Sequence, residues 1–125
     1  MAKNDQLFAN IWTEAYELGL VAGQDCTPDP MIVDDGRQRY FVEDGLCGFA
    51  WVHISPATSS FARWLMKQGY AHTAYYGGAD IWISAHGQSY ARKLAHATAM
   101  AKAFKRLFDA NGITCKYVYA DGRLD

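Results

Sequence analysis

Residues 48–54, GFAWVHI, alternate in character so regularly that they read as a strand with two unlike faces. Side chains along a strand point to opposite sides in turn, so Ala50, Val52 and Ile54 share one face and Phe49, Trp51 and His53 the other. Residues 79–84, ADIWIS, repeat the arrangement, with Ile81 and Ile83 on one side and Asp80, Trp82 and Ser84 opposite. The aliphatic faces predict a core covered by helices. The opposite faces mix large rings with polar groups, and any fold must account for them.

The flanking sequence supplies the helices. Phe8, Ile11, Trp12, Ala15, Leu18 and Ala22 recur at spacings of three and four, which predicts a helix over about 5–22, with Asn4 or Asp5 as N-cap and Gly23 as its stop. After Thr27-Pro28-Asp29-Pro30, residues 31–33 and 38–42 read as strands joined by the turn Asp34-Asp35-Gly36. A short helix follows over 59–68, with Gly69 as C-cap, and then a hairpin over 72–84 that turns at Gly77-Gly78. The longest helix spans 90–110, with the apolar stripe Tyr90, Leu94, Ala97, Ala101, Phe104 and Phe108, and ends at Asn111-Gly112. On this phase His96 faces outward into solvent. A last strand over 113–120 precedes a polar tail.

The order α-β-β-β-α-β-β-α-β predicts an α+β fold: a single domain over 1–125 with an antiparallel or mixed sheet of five to six strands and helices mainly on one face. Two ββα-like units, about 31–69 and 70–112, can be laid over each other. Trp51-Val52, Ser55, Ser60-Phe61-Ala62-Arg63 and Leu65 resemble Trp82-Ile83, Ser84, Ser89-Tyr90-Ala91-Arg92 and Leu94. With one gap and few matching positions, duplication and coincidence both remain open.

The chain has 125 residues, net charge −1, and 12 basic against 13 acidic side chains. That balance gives little electrostatic drive for nucleic acid. The first dozen residues contain no apolar core of signal-peptide length, and no run approaches the roughly 18 apolar residues of a membrane span. Cys26, Cys47 and Cys115 are odd in number and form no C-x-x-C pair, so disulfide and zinc frameworks are unsupported. A reducing cytoplasm with small apolar cysteines is the expected setting. Eighteen aromatic residues, four of them Trp, are the compositional excess.

Three readings compete for the mixed face. The first helix could cover it with Phe8, Ile11 and Trp12; it could be a self-association surface; or it could be a stacking platform for a flat ligand. Ser89 caps a helix start, where unpaired N–H groups favour an anion, and Arg92 there works against the helix dipole. Arg92 and Lys93, with Arg63 in the other unit, could therefore hold a phosphate or carboxylate. Arg92 could equally be solvated, or paired with Asp80 or Asp44. The candidate ligand-binding set is thus Trp51, His53, Arg63, Asp80, Trp82, Ser89, Arg92 and Lys93.

Support for catalysis is thin. His53, His72, His86 and His96 show no metal-ligand spacing, Gly87-Gln88-Ser89 lacks the second glycine of a nucleophile elbow, and Gly77-Gly78 starts no phosphate loop. His53 with Asp80 could form a base and its orienting carboxylate if the strands pair in that register. No metal and no cofactor is expected.

Several runs resemble a family of small uncharacterised bacteriophage and prophage proteins. They are Gly48-Phe49-Ala50-Trp51-Val52, Ser60-Phe61-Ala62-Arg63-Trp64-Leu65 and Tyr76 through Ser84, together with Gly87-Gln88-Ser89, Arg92-Lys93 and the Gly122-Arg123-Leu124-Asp125 end. The resemblance covers roughly residues 45–125 and carries no catalytic set. It implies a non-enzymatic accessory protein in the host cytoplasm, often counter-defence, that blocks a host protein or sequesters a nucleotide-like signal. With the residues above, the expectation is an anionic or nucleotide-like ligand and a homo-oligomer. The alternatives are an inhibitor that uses the aromatic face directly, or a small enzyme working through His53 and Asp80.

Overall fold

The computed structural model describes residues 4–34, 36–43 and 45–125. Three helices and six strands follow the expected order: α1 (Asp5–Asp25), β1 (Met31–Asp34), β2 (Arg39–Val42), β3 (Gly48–Ser55), α2 (Ser60–Gln68), β4 (His72–Thr73), β5 (Ala79–Trp82), α3 (Tyr90–Asn111) and β6 (Tyr117–Leu124). The class is α+β and every strand pairing is antiparallel. The strands do not form one sheet. Four make the sheet β4-β5-β3-β6, and β1-β2 stand apart as a hairpin that leaves Ile32 and Phe41 exposed. Asp35, within the expected hairpin turn, lies outside the described residues.

β3 is the central strand of the main sheet because its aliphatic positions can be buried along its whole length. Ala50, Val52 and Ile54 are inaccessible to solvent, as are Ala79 and Ile81 on β5. Helix α3 lies on this side, with Ala97, Met100 and Phe104 buried. α2 adds Phe61 and Leu65, and the Phe61 ring meets Phe8, Phe104 and Phe108 edge-on at 5.0–5.5 Å. Gly69 and Gly112 end α2 and α3 in the left-handed conformation (φ 82° and 67°), which a residue lacking Cβ adopts without strain.

Two element boundaries differ from expectation. α1 runs through Gly23 to Asp25, so Gly23 does not stop it. Gly23 is needed for close packing instead, because a Cβ there would lie 2.2 Å from the His86 ring. The last strand is 117–124 rather than 113–120: it pairs along the full length of β3, from Ser55↔Tyr117 to Gly48↔Leu124, and takes in residues 121–124 of the expected polar tail.

Candidate functional site: the aromatic face of the sheet

The antiparallel register joins the two alternating strands into one surface. Trp51 on β3 lies opposite Trp82 on β5, and His53 opposite Asp80. From β6, Tyr119 lies opposite His53, Asp121 opposite Trp51 and Arg123 opposite Phe49. Cross-strand neighbours on one face touch. The Trp51 and Trp82 rings are 4.7 Å apart and tilted by 41°, and the Phe49 edge meets Trp82 at 6.3 Å. The His53 and Tyr119 rings lie 5.0 Å apart.

At one end, His53 Nδ1 and Asp80 Oδ1 are 2.7 Å apart and both side chains are largely buried. A carboxylate only accepts, so Nδ1–H donates to it. Gly78 (φ 78°) crosses above this ring, where a Cβ would come within 2.6 Å of Nε2. A cleft of about 390 Å³ opens beside the pair, walled by Trp51, Tyr75, Tyr76 and Tyr119, with Asp121 at its edge. No serine, cysteine or lysine is among the described residues that line it. The arrangement could hold a proton, and the side chains of Asp121 and the three tyrosines line the same cleft. At the opposite end, the Arg123 guanidinium and the Lys93 ammonium each lie 5.5 Å from the Phe49 ring centre.

The face is not covered by α1. That helix lies along α3 and α2: Phe8 and Ile11 are buried, and Trp12 stacks on Tyr70 with centroids 4.3 Å apart and planes within 3°. Trp82 remains 44% exposed.

The expected anion site is not assembled. The Arg92 Nη1 donates to the carbonyls of Gly23 (3.0 Å) and Gln24 (2.9 Å), the C-terminal end of α1. A cation there complements the dipole of α1, which answers why an arginine sits in the first turn of α3. Of the two carboxylates expected as its partner, Asp80 binds His53, and Asp44 lies outside the described residues. Lys93 is buried, with Nζ donating to the Gly48 carbonyl at 3.4 Å. The Ser89 Oγ, 1% exposed, accepts from the Arg92 backbone N–H as an N-cap. Arg63 lies elsewhere, in a separate cleft with Phe8, Trp64 and Lys67. Of the eight candidates, the sheet therefore brings together Trp51, His53, Asp80 and Trp82. From the sequence, Tyr75, Tyr76, Tyr117 and Tyr119 could join either face; Asp121 and Arg123 were missed, although Tyr117, Tyr119, Asp121 and Arg123 alternate as a strand does.

His96 is another departure. Rather than facing solvent, it is fully buried, and its Nδ1 is 2.9 Å from His86 Nε2. Its Nε2 has no partner among the described residues. Gly19 makes room for it, since a Cβ would lie 2.4 Å from the ring. Burial, reinforced by the neighbouring His86, lowers the His96 pKa to about 4. Burial, with Arg92 and Lys93 nearby, lowers that of His86.

All three cysteines are free, and Cys47 is exposed rather than packed as an apolar residue. No helix of the described residues is long and apolar enough to cross a membrane, and these residues contain no cluster of metal-ligating side chains. Neither a family model, nor a curated protein, nor a solved structure matches the chain.

Proposed function

We propose that this protein acts by binding rather than by catalysis. Its ligand carries a flat ring that stacks on the Trp51–Trp82 pair and an anionic group that reaches Arg123. The Trp pair is the observation that carries this reading: two opposed indoles, Trp82 exposed and Trp51 half-buried, on a face that none of the described helices covers, with a cation at one end. Rings on a sheet surface take bases with little sequence preference, each stack contributing about 1–3 kcal/mol. A nucleotide-like molecule fits that chemistry, and the anion is held by Arg123 in place of the Arg92–Lys93 pair. In the setting that the phage resemblance suggests, such a protein sequesters a nucleotide signal in the host cytoplasm.

A second reading is inhibition of a host protein through the same face. It is favoured by Tyr117 and Tyr119, 55% and 44% exposed, which extend the aromatic surface beyond a small ligand's footprint. Titration with a panel of nucleoside monophosphates, followed by tryptophan fluorescence, separates the two. Saturable quenching that falls at least tenfold in Arg123→Ala supports the ligand reading. Unchanged fluorescence across the panel, with a clean apo mass in native mass spectrometry, removes it. Turnover of any nucleotide, lost on His53→Ala, would replace binding by catalysis.

A further inference from the structure

The two ends of the aromatic face carry opposite charge. Arg123 and Lys93 flank the Phe49 ring at one end. At the other, the described residues that line the cleft beside His53 include two carboxylates, Asp80 and Asp121, and neither a lysine nor an arginine. Strand register sets this up. Asp80 and Tyr119 both lie opposite His53, and Asp121 lies opposite Trp51, so rings and carboxylates converge from three strands. Asp80 is engaged by His53. Asp121 keeps a free oxygen: Oδ1 accepts from the Gly122 N–H at 2.8 Å, and Oδ2 has no partner among the described residues.

Four rings supply the walls. Trp51 and Tyr119 stand on the sheet, while Tyr75 and Tyr76 come from the turn between β4 and β5. That turn is closed by the Ala74 N–H on Gly78 O and the Gly77 N–H on Ala74 O. Tyr75 and Tyr76 are 92% and 95% exposed, and their rings meet edge-on at 4.8 Å. Two phenol rings held in water add almost nothing to folding, so their position at the mouth of an acidic cleft calls for another reason.

We propose that this cleft is an aromatic cage for a compact organic cation, the quaternary or fully methylated ammonium head of its ligand. The negative faces of the four rings attract a cation whose charge is spread over methyl groups, and Asp121 supplies the counter-charge. An anion would meet two carboxylates. A metal ion suits the lining poorly, because the described residues contain no cluster of metal-ligating side chains. A neutral sugar needs hydrogen bonds around its whole rim, whereas the lining offers, beyond the phenols, only Asp121 and a His53–Asp80 pair already bonded to itself. The cage lies at the far end of the face from Arg123. It does not rest on the ring-and-anion reading, although Trp51 belongs to both.

Choline and its neutral isostere, in which carbon replaces the ammonium nitrogen, separate charge from shape when titrated into the intact protein. The N-methyl proton resonance of choline should move upfield and saturate, because the methyl groups enter the ring currents of the cage. The isostere should bind at least tenfold more weakly. No nucleotide is present, so the outcome is independent of the ring-and-anion reading. A trimethyllysine peptide titrated in parallel carries the same head, and the tighter of the two ligands tells whether the head belongs to a free small molecule or to a protein tail. Tyr76→Ala should weaken binding severalfold at an unchanged melting temperature, since that ring is exposed, and Tyr76→Phe should restore it. Asp121→Asn should also weaken binding severalfold. The proposal falls if neither cation gives saturable binding, if the isostere binds choline's site as tightly as choline, or if Tyr76→Ala and Asp121→Asn both bind choline like the parent.

Discussion

Val52 and Ile54 are inaccessible to solvent, while Trp51 and His53, their immediate neighbours on β3, lie on the face that no helix covers. One strand thus serves two purposes by alternation alone. On one side, aliphatic groups meet α3 and supply the burial that holds the domain together, at roughly 25 cal/mol per Å². On the other, rings contact one another across strands, with Trp82 and Tyr119 exposed and Phe49, Trp51 and His53 half-buried. Surface apolar area of this kind adds little to folding, which is the ground for the binding role proposed above. The comparison breaks first at Ile54. Ile54→Ala should cost about 2–5 kcal/mol in denaturant unfolding, as for other buried large-to-small changes. A loss under about 1 kcal/mol would mean that the aliphatic face is not the core.

The histidines repeat the contrast. His53 borders the open face and has a carboxylate partner, whereas His96 is enclosed between α3 and α1 with another imidazole. A histidine whose folded pKa lies below its unfolded value stabilises fully above the unfolded pKa. Here the ordinary value is 6.5 and the folded value about 4. The unfolded chain therefore binds the extra proton first, and stability declines as pH falls from about 6.5 to about 4. The contribution of His96 is flat below that. His86, shifted in the same direction, adds to the decline. For His96 the loss is on the order of 3 kcal/mol. Urea midpoints measured across that range, wild type against His96→Asn, isolate it from the titration of carboxylates. Parallel profiles would show that His96 is not held neutral by burial.

Arg92 provides the next test, since it separates a structural arginine from a ligand-binding one. Its guanidinium bonds two carbonyls at the end of α1, so Arg92→Ala should destabilise by about 1–3 kcal/mol. Nucleotide binding measured on the folded fraction should stay unchanged. A stable variant with lost binding would restore the anion site at the start of α3.

Much of the fold was legible because it depends on local chemistry. Periods of 2 and 3.6 placed the nine elements in order, and Gly69, Gly77-Gly78 and Gly112 fell at the expected caps and turn. What was not legible depends on distant partners. Gly23 resembles a helix stop until the ring of His86 occupies the space beside it. His96 falls off the apolar stripe of α3, but that stripe marks only the flank against the sheet, and α1 covers a second flank. The carbonyls that hold Arg92 lie 69 and 68 residues away. Asp121 and Arg123 have tail-like composition, and only pairing with β3 makes them part of the face. Of the site, the four residues on the two alternating strands were readable, because pairing in register needs only that those strands be neighbours.

The smallest expected stability change falls on the residue expected to matter most for binding. Trp82 is 44% exposed and rests against Trp51 and Phe49. Trp82→Ala therefore removes partly solvated contacts and leaves no sealed cavity, so its cost should stay within about 1 kcal/mol, against the 3–5 kcal/mol typical of a buried tryptophan. The same substitution should abolish the fluorescence response to nucleoside monophosphates. Both readouts are needed. If stability drops as it does for Ile54→Ala, the aromatic face is a second core whose cover the isolated chain does not show. If stability holds and binding is lost, the face is free to bind because folding does not depend on it.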